Sequence, residues 1–402
     1  MVPGRSSPDF GLLFTALALL LFGLVLVYSS SYYLSARYFG DHSYLLKRQL
    51  LAALIGLGLM SLLMHLDYHY LRQLDDLLLL GALGLTLMTL IPGLSSGGRW
   101  LLLGPLRIQP SELLKLTLIV YLASSILRRR DAGRMESFTE GVLPYLALLG
   151  IAAGLVLKQP DMGMALIYGA IVFFMLYIGR ARIGHLLLSG LAGLPLIYLL
   201  LHASYRWGRI VSFLNPFKYG EDKSYQLLQS LTALGSGGLL GRGLGLGREK
   251  LLYLPSAHND FIIAVVGEEL GLWGGLLLLG VFAFLLYRGL RIVMRAPDRF
   301  GYLLGSGLLF TLGLQASLNL GVAAGVLPVT GLTLPLISYG GSSLIVSLAM
   351  VGILLNISKQ RKEGENAGLG RWRGERWTPL PRPGNLGGLP RPRGGAPRLH
   401  WR

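Results

Sequence analysis

The sequence predicts an all-α polytopic membrane protein, and three observations carry that prediction: composition, the length of the apolar runs and the placement of positive charge. Of 402 residues, 52% are hydrophobic and 14% charged, with a mean hydropathy of +0.56. Soluble domains carry about 25% charged residues, so the bulk solvent of this chain is lipid. Apolar runs fall at roughly 10–28, 45–66, 74–92, 111–127, 140–157, 162–179, 184–202, 264–287, 301–327 and 335–357. Each can cross hydrocarbon about 30 Å thick, which gives about ten transmembrane helices. With the N-terminus inside, fifteen Lys and Arg fall in inner segments, among them Arg72, Arg128–Arg130, Arg288 and Arg291, against six in short outer loops. That bias places both termini in the cytoplasm and makes the segment of about 203–263, between helices 7 and 8, a large extracytoplasmic loop.

Taken in order, the first run is too long for a signal-peptide core and reads as a membrane helix. Lys158, Gln159 and Asp161 around Pro160 mark a turn between two helices rather than one continuous span. The stretch "SYQLLQSLTALGSGGLL" has apolar residues at helical spacing and suits a short helix at the membrane interface. Pro328, Pro335, Gly340 and Gly341 break the chain before the last span, with Ser338, Ser342 and Ser343 able to satisfy freed backbone groups. The transmembrane domain thus covers 1–358. Residues 359–402 hold eleven Lys or Arg against three Glu, are rich in Gly and Pro, and form a basic cytoplasmic tail expected to be disordered and drawn to anionic lipid rather than to nucleic acid.

Several chemistries are excluded. There is no cysteine, so disulfides and thiolate nucleophiles are absent. The glycines of "GSGGLLGRGLGLGREK" are not followed by Lys-Ser or Lys-Thr, so they form no nucleotide-binding loop. No His-Glu-x-x-His occurs, and His258 with Asp260 supplies at most two metal ligands.

Polar residues gather in four places on the outer side. In "YLPSAHNDFIIAVVGEELG", Ser256 is a candidate N-cap, which would put His258 and Asp260 in the first helical turn, where an ionised Asp260 can take a proton from a hydroxyl or merely cap its helix. Glu268 and Glu269 lie too far along that helix to share its proton and are expected to accept bonds within the bundle. Glu112 and Lys115, three apart on one helix face, suit an ion pair. Lys158 and Asp161 form the third cluster. Arg206 and Arg209, flanking Trp207, have the forked donors that hold phosphate or pyrophosphate.

The segments "GGRWLLLGPLRIQPSELLKL", "KQPDMG", "RIVSFLNPF", "YQLLQSLTALGSGGLLGRGLG", "YLPSAHNDFIIAVVGEELG" and "NLGVAAGVLPVTGLTLPLISYGGSS" together resemble the SEDS family of shape, elongation, division and sporulation proteins, its FtsW-like branch more than its RodA-like one. The resemblance covers about 10–357. It implies a peptidoglycan glycosyltransferase that polymerises lipid II at the outer face of the bacterial cytoplasmic (inner) membrane, with Asp260 as the catalytic carboxylate. Asn259 stands where many relatives have Thr. Family positions also map onto Glu112, Lys115 and Asp161. The implied partners are a class B penicillin-binding protein and other divisome or elongasome membrane proteins. The implied chemistry is one inversion at the anomeric carbon, with Arg206, Arg209, Lys115 or a divalent cation such as Mg or Mn neutralising the departing pyrophosphate. No nucleotide or organic cofactor is expected. The alternatives are a lipid II flippase, which the bent last helices would suit, and a scaffold for the penicillin-binding protein.

Overall fold

A computed structural model describes residues 7–103, 106–201, 207–208, 213, 224–248 and 254–360. The tail beyond 360, with Arg206 and Arg209, lies outside the described residues. Thirteen α-helices are described: α1 Phe10–Phe39, α2 Tyr44–His65, α3 His69–Gln73, α4 Asp75–Met88, α5 Pro110–Asp131, α6 Phe138–Gly141, α7 Leu143–Lys158, α8 Met162–Ile178, α9 Ile183–Leu201, α10 Tyr225–Ser236, α11 Ile262–Val293, α12 Arg299–Ala323 and α13 Gly341–Lys359. Among the described residues, α1, α2, α5, α11, α12, α13 and the run Phe138–Lys158 are long and apolar enough to cross a membrane. The chain is an all-α polytopic membrane protein.

One small sheet interrupts the helices. Strands β1 Ser95–Ser96, β2 Trp100–Leu103 and β3 Leu106–Ile108 form an antiparallel ribbon, with Ser96 paired to Trp100 and Leu102 to Arg107. Gly97 and Gly98 both take left-handed φ values, 60° and 69°, which turns the first hairpin where a side chain would be strained. Gly97 and Gly98 mark the turn in the sequence, whereas strands of two to four residues show no usable alternation.

Packing places α5 at the centre, with Leu114, Leu118, Ile119, Leu122, Ala123 and Ile126 at 0% exposure. Helix α13 lies along α2 at backbone contact: a Cβ at Gly352 would meet Met60 O at 2.6 Å, and one at Gly56 would meet Leu348 at 2.6 Å. Small residues at such crossings are the usual means of close helix association in lipid, where hydrophobicity gives no preference for protein over solvent. One end of the bundle is tied by polar bonds. Asp9 caps α1 through the Leu12 N–H at 2.9 Å, pairs with Arg288 at 2.7 Å, and its own N–H donates to Ser358 Oγ at 3.0 Å. The last span begins six residues later than its apolar run, at Gly341, because the chain from Ala324 to Gly340 is not helical.

Candidate functional site

The turn that carries Asp260 is built from backbone bonds. Ser256 adopts φ 58°, and its carbonyl accepts the N–H groups of Asn259 at 3.0 Å and Asp260 at 3.2 Å. Helix α11 starts only at Ile262, so Ser256 is not its N-cap and Asp260 precedes the first turn, contrary to the sequence expectation. The left-handed Ser256 closes a separate turn that the helix does not absorb. Asn319 of α12 fixes this turn from the side: its Nδ2 donates to the Asp260 carbonyl at 2.9 Å and to the Leu332 carbonyl at 2.6 Å. The His258 carbonyl accepts the Tyr339 N–H at 2.9 Å, and its ring meets Tyr339 edge-on at 5.5 Å. Burial lowers the His258 pKa from 6.5 to about 4, so the imidazole is neutral at physiological pH.

Asp260 is half-buried and lines a cleft of about 760 Å³. Asn259, Glu112 and Asp161 line it too, together with Arg48 of α2, Arg99 of the first hairpin turn and Arg107 of β3. The cleft walls are locked by side-chain to backbone bonds. Gln49 donates to the Ser338 carbonyl at 3.1 Å and accepts the Gly340 N–H at 3.2 Å, holding the non-helical segment that precedes α13. Ser342 Oγ accepts the Gln109 N–H at 2.9 Å, and Ser338 Oγ accepts the Leu334 N–H at 2.9 Å, as the serines of a broken span must do in lipid.

The predicted residues separate into three groups. Asp260, Glu112 and Asp161 share the cleft. Lys115 is 1% exposed behind it, bonded to Glu112 and, at 2.8 Å, to Gln315 Oε1. The Glu112–Lys115 ion pair expected from their spacing is therefore present, and it removes Lys115 from the set of cations that face the cleft. Asp161 caps α8 through the Met164 N–H at 3.1 Å and accepts from Gln109 at 3.2 Å. Burial pushes its pKa up, against the pull of that N–H and of Arg99. Lys158 is exposed at the end of α7 and does not line the cleft.

The sequence does not single out Arg48, Arg99, Arg107, Gln315 or Asn319 as site residues, and Arg48 and Arg107 enter it only through the count of outer charges. Gln315 and Asn319 are four apart on an otherwise apolar helix, and two amides on one face of a membrane span are themselves a signal of a polar site.

Glu268 and Glu269 are both fully buried. Glu268 accepts the Arg248 N–H at 2.6 Å and pairs with Arg242 at 3.3 Å, while Glu269 accepts from Ser29 of α1 at 2.8 Å. Both act within the bundle, as their distance from Asp260 implied. The glycine-rich segment 237–248 docks by backbone against a break in α11 at Gly271, where φ is 66°. A Cβ on Gly237 would lie 1.9 Å from the Gly267 carbonyl, and one on Gly241 2.3 Å from that of Glu269. Close approach of two backbones, not phosphate binding, explains these glycines.

Among the described residues, no group of three or more His, Asp or Glu side chains could hold a metal ion. Among the described residues, the cleft is lined by three guanidinium groups and three carboxyl groups.

The long apolar helices and the polar cleft they enclose define a polytopic helical membrane protein. The chain belongs to the cell cycle protein family of FtsW, RodA and SpoVE, whose description matches residues 10–363. It is 43% identical to a probable peptidoglycan glycosyltransferase FtsW of Geobacter sulfurreducens over 88% of this chain and 96% of that one. It is 41% identical to the stage V sporulation protein E of Bacillus subtilis over 89% and 99%. Among solved structures, one reported as showing structural coordination of polymerization and crosslinking by a peptidoglycan synthase complex contains a chain that is 32% identical, with a TM-score of 0.71 over 89% of this chain and 99% of that one. The rod shape determining protein RodA of Thermus thermophilus is also 32% identical, with a TM-score of 0.62 over 88% and 97%.

Proposed function

We propose that this chain is a peptidoglycan glycosyltransferase that polymerises lipid II in the cleft around Asp260. The observation that carries the reading is the convergence of that carboxylate with Arg48, Arg99 and Arg107 in one cleft. Lipid II presents an anomeric carbon attached to a pyrophosphate, so the donor needs a guanidinium-rich seat and the acceptor hydroxyl needs a base. The Asp260 carboxylate accepts the proton from the acceptor 4-hydroxyl as that oxygen attacks the anomeric carbon. Lipid pyrophosphate leaves with the bonding pair, and one displacement turns an α-linked donor into a β-linked product. The leaving group carries its own negative charge, so it needs cations rather than a general acid. Arg107 is exposed and Arg99 partly so, which suits them to meet a lipid-borne anion.

Of the other cleft carboxylates, Asp161 is engaged by Gln109 and an N–H, and Glu112 by Lys115. We assign neutralisation of the departing pyrophosphate to the guanidinium groups, with Mg or Mn as the other source of positive charge. Polymerisation assayed with chelator, and with each ion restored, separates the two sources of charge.

We count the shorter apolar helices α8 and α9 and the 14-residue α4 as further spans, which makes ten, with α9 the seventh and α11 the eighth. The outer loop expected at about 203–263 would follow α9, although much of that stretch lies outside the described residues, and the excess of Lys and Arg at the opposite ends of the spans supports cytoplasmic termini. Relatives named FtsW support a division role, and the peptidoglycan synthase complex supports work beside a crosslinking class B penicillin-binding protein. Purified chain given labelled lipid II, with and without that partner, tests the reading. Glycan strands that depend on this chain are expected, whereas transbilayer movement of lipid II without chain growth would replace the enzyme by a flippase.

A further inference from the structure

We infer that the glycine-rich strap 237–248 is seated in the acyl-chain margin of one leaflet, where it makes a lipid-inserted loop beside the break in α11. Three observations converge on it. Leu239, Leu240, Leu244 and Leu246 are 64%, 82%, 55% and 68% exposed, and they adjoin Leu272 and Trp273, at 52% and 62%, on the spanning helix. A run of four exposed leucines in a twelve-residue non-helical segment has no place in water, and it continues the lipid-facing surface that Leu276 and Leu277 present further down α11.

The second observation is depth. Arg288, tied to Asp9 at the opposite end of the bundle, stands seventeen positions beyond Gly271. At 1.5 Å per residue that is about 26 Å, slightly less than the hydrocarbon thickness of about 30 Å. The break in α11, and the strap bonded to it, thus lie at the far edge of the hydrocarbon, and Trp273 takes the interfacial position that indole rings favour.

The third is hydrogen bonding. Non-helical backbone is tolerated at such depth only where its polar groups are satisfied by protein. Here Arg242 and Gly243 donate their N–H groups to the carbonyls of Glu268 and Glu269 at 3.0 and 2.9 Å, and Leu272 and Trp273 donate to those of Gly238 and Leu239 at 3.0 and 3.3 Å. These four bonds knit the broken helix to the strap, and the leucines face outward beside the exposed Arg242 and Arg248, whose charged ends reach the headgroup boundary when the leucines enter the acyl chains. The occupant of this surface is the acyl chains of the leaflet. The seat of the strap is independent of the reaction at Asp260.

The absence of cysteine makes the test direct. The full chain carrying Leu240→Cys or Leu246→Cys is labelled with bimane and placed in phosphatidylglycerol–phosphatidylcholine vesicles whose acyl chains are brominated near the glycerol or near the methyl end. Both probes are expected to be quenched about twofold or more by bromine near the glycerol end and less by the deeper bromine, as for apolar groups held within roughly 5–10 Å of the headgroup boundary. A probe at exposed Ser137 is expected to remain unquenched. Water-like emission without quenching at both leucine sites, in a chain whose thermal unfolding matches that of the parent, would overturn the inference and assign the surface to a protein partner.

Discussion

Lys115 shows how much a single side chain costs when lipid surrounds it. Its ammonium is 1% exposed and held between Glu112 and Gln315, so removing it leaves a buried carboxylate with no cation. Lys115→Met is expected to lower stability by about 3–5 kcal/mol, read as thermal unfolding in detergent, and the double change with Glu112→Leu is expected to recover most of the loss. Equal stability of Lys115→Met and parent would mean that the buried Glu112–Lys115–Gln315 bonds do not support the bundle. Arg107 belongs to the other kind of residue. It is exposed and lines the cleft, and Arg107→Ala is expected to lower kcat as well as kcat/KM for lipid II, as loss of leaving-group neutralisation requires, while unfolding stays unchanged. His258 sets a pH dependence. Its folded pKa of about 4 lies below the ordinary 6.5, so between those values the unfolded chain binds the proton more readily and stability falls as pH drops. Unfolding temperature is expected to decrease from pH 7 to pH 5, with a smaller decrease in His258→Gln. Identical pH profiles for the two would show that the ring is not held neutral by the fold.

At the scale of elements, the break in α11 is the sharpest structural commitment. Gly271 has φ 66°, and a Cβ there would lie 2.3 Å from the Gly241 nitrogen and 2.6 Å from the Leu239 carbonyl oxygen. Gly271→Ala is therefore expected to destabilise by more than the roughly 1 kcal/mol of a simple left-handed strain, because the strap must move as well. The position of these elements was unevenly legible in sequence. Long spans showed themselves by hydropathy, since lipid imposes length and polarity on every crossing. The non-helical approach to α13 was announced by Pro328, Pro335 and Gly340, although its apolar residues still extended the predicted span backward. The ribbon 95–108 left only its Gly97–Gly98 turn as a trace. Glu268 and Glu269 were readable as internal acceptors from their distance to Asp260, but their partners Arg248, Arg242 and Ser29 come from other parts of the chain, and no local pattern reports such contacts.

Over the whole molecule, the bundle brings side chains from α2, the ribbon, α5, the α7–α8 turn, the turn before α11 and the segment before α13 to one cleft. Asp260 stands out in sequence as a candidate because its surroundings are a contiguous motif. The cations that share its cleft could not, because Arg48, Arg99 and Arg107 are far from it in sequence and are spread over three elements. The role of Asp260 is tested most directly by polymerisation of labelled lipid II by purified parent chain and by Asp260→Ala in the same membrane mimic. General-base catalysis is typically worth about 10²–10⁴-fold, so glycan strand formation is expected to fall by at least that range while thermal unfolding and lipid II binding persist. Strands formed at the parental rate by Asp260→Ala would contradict the account outright.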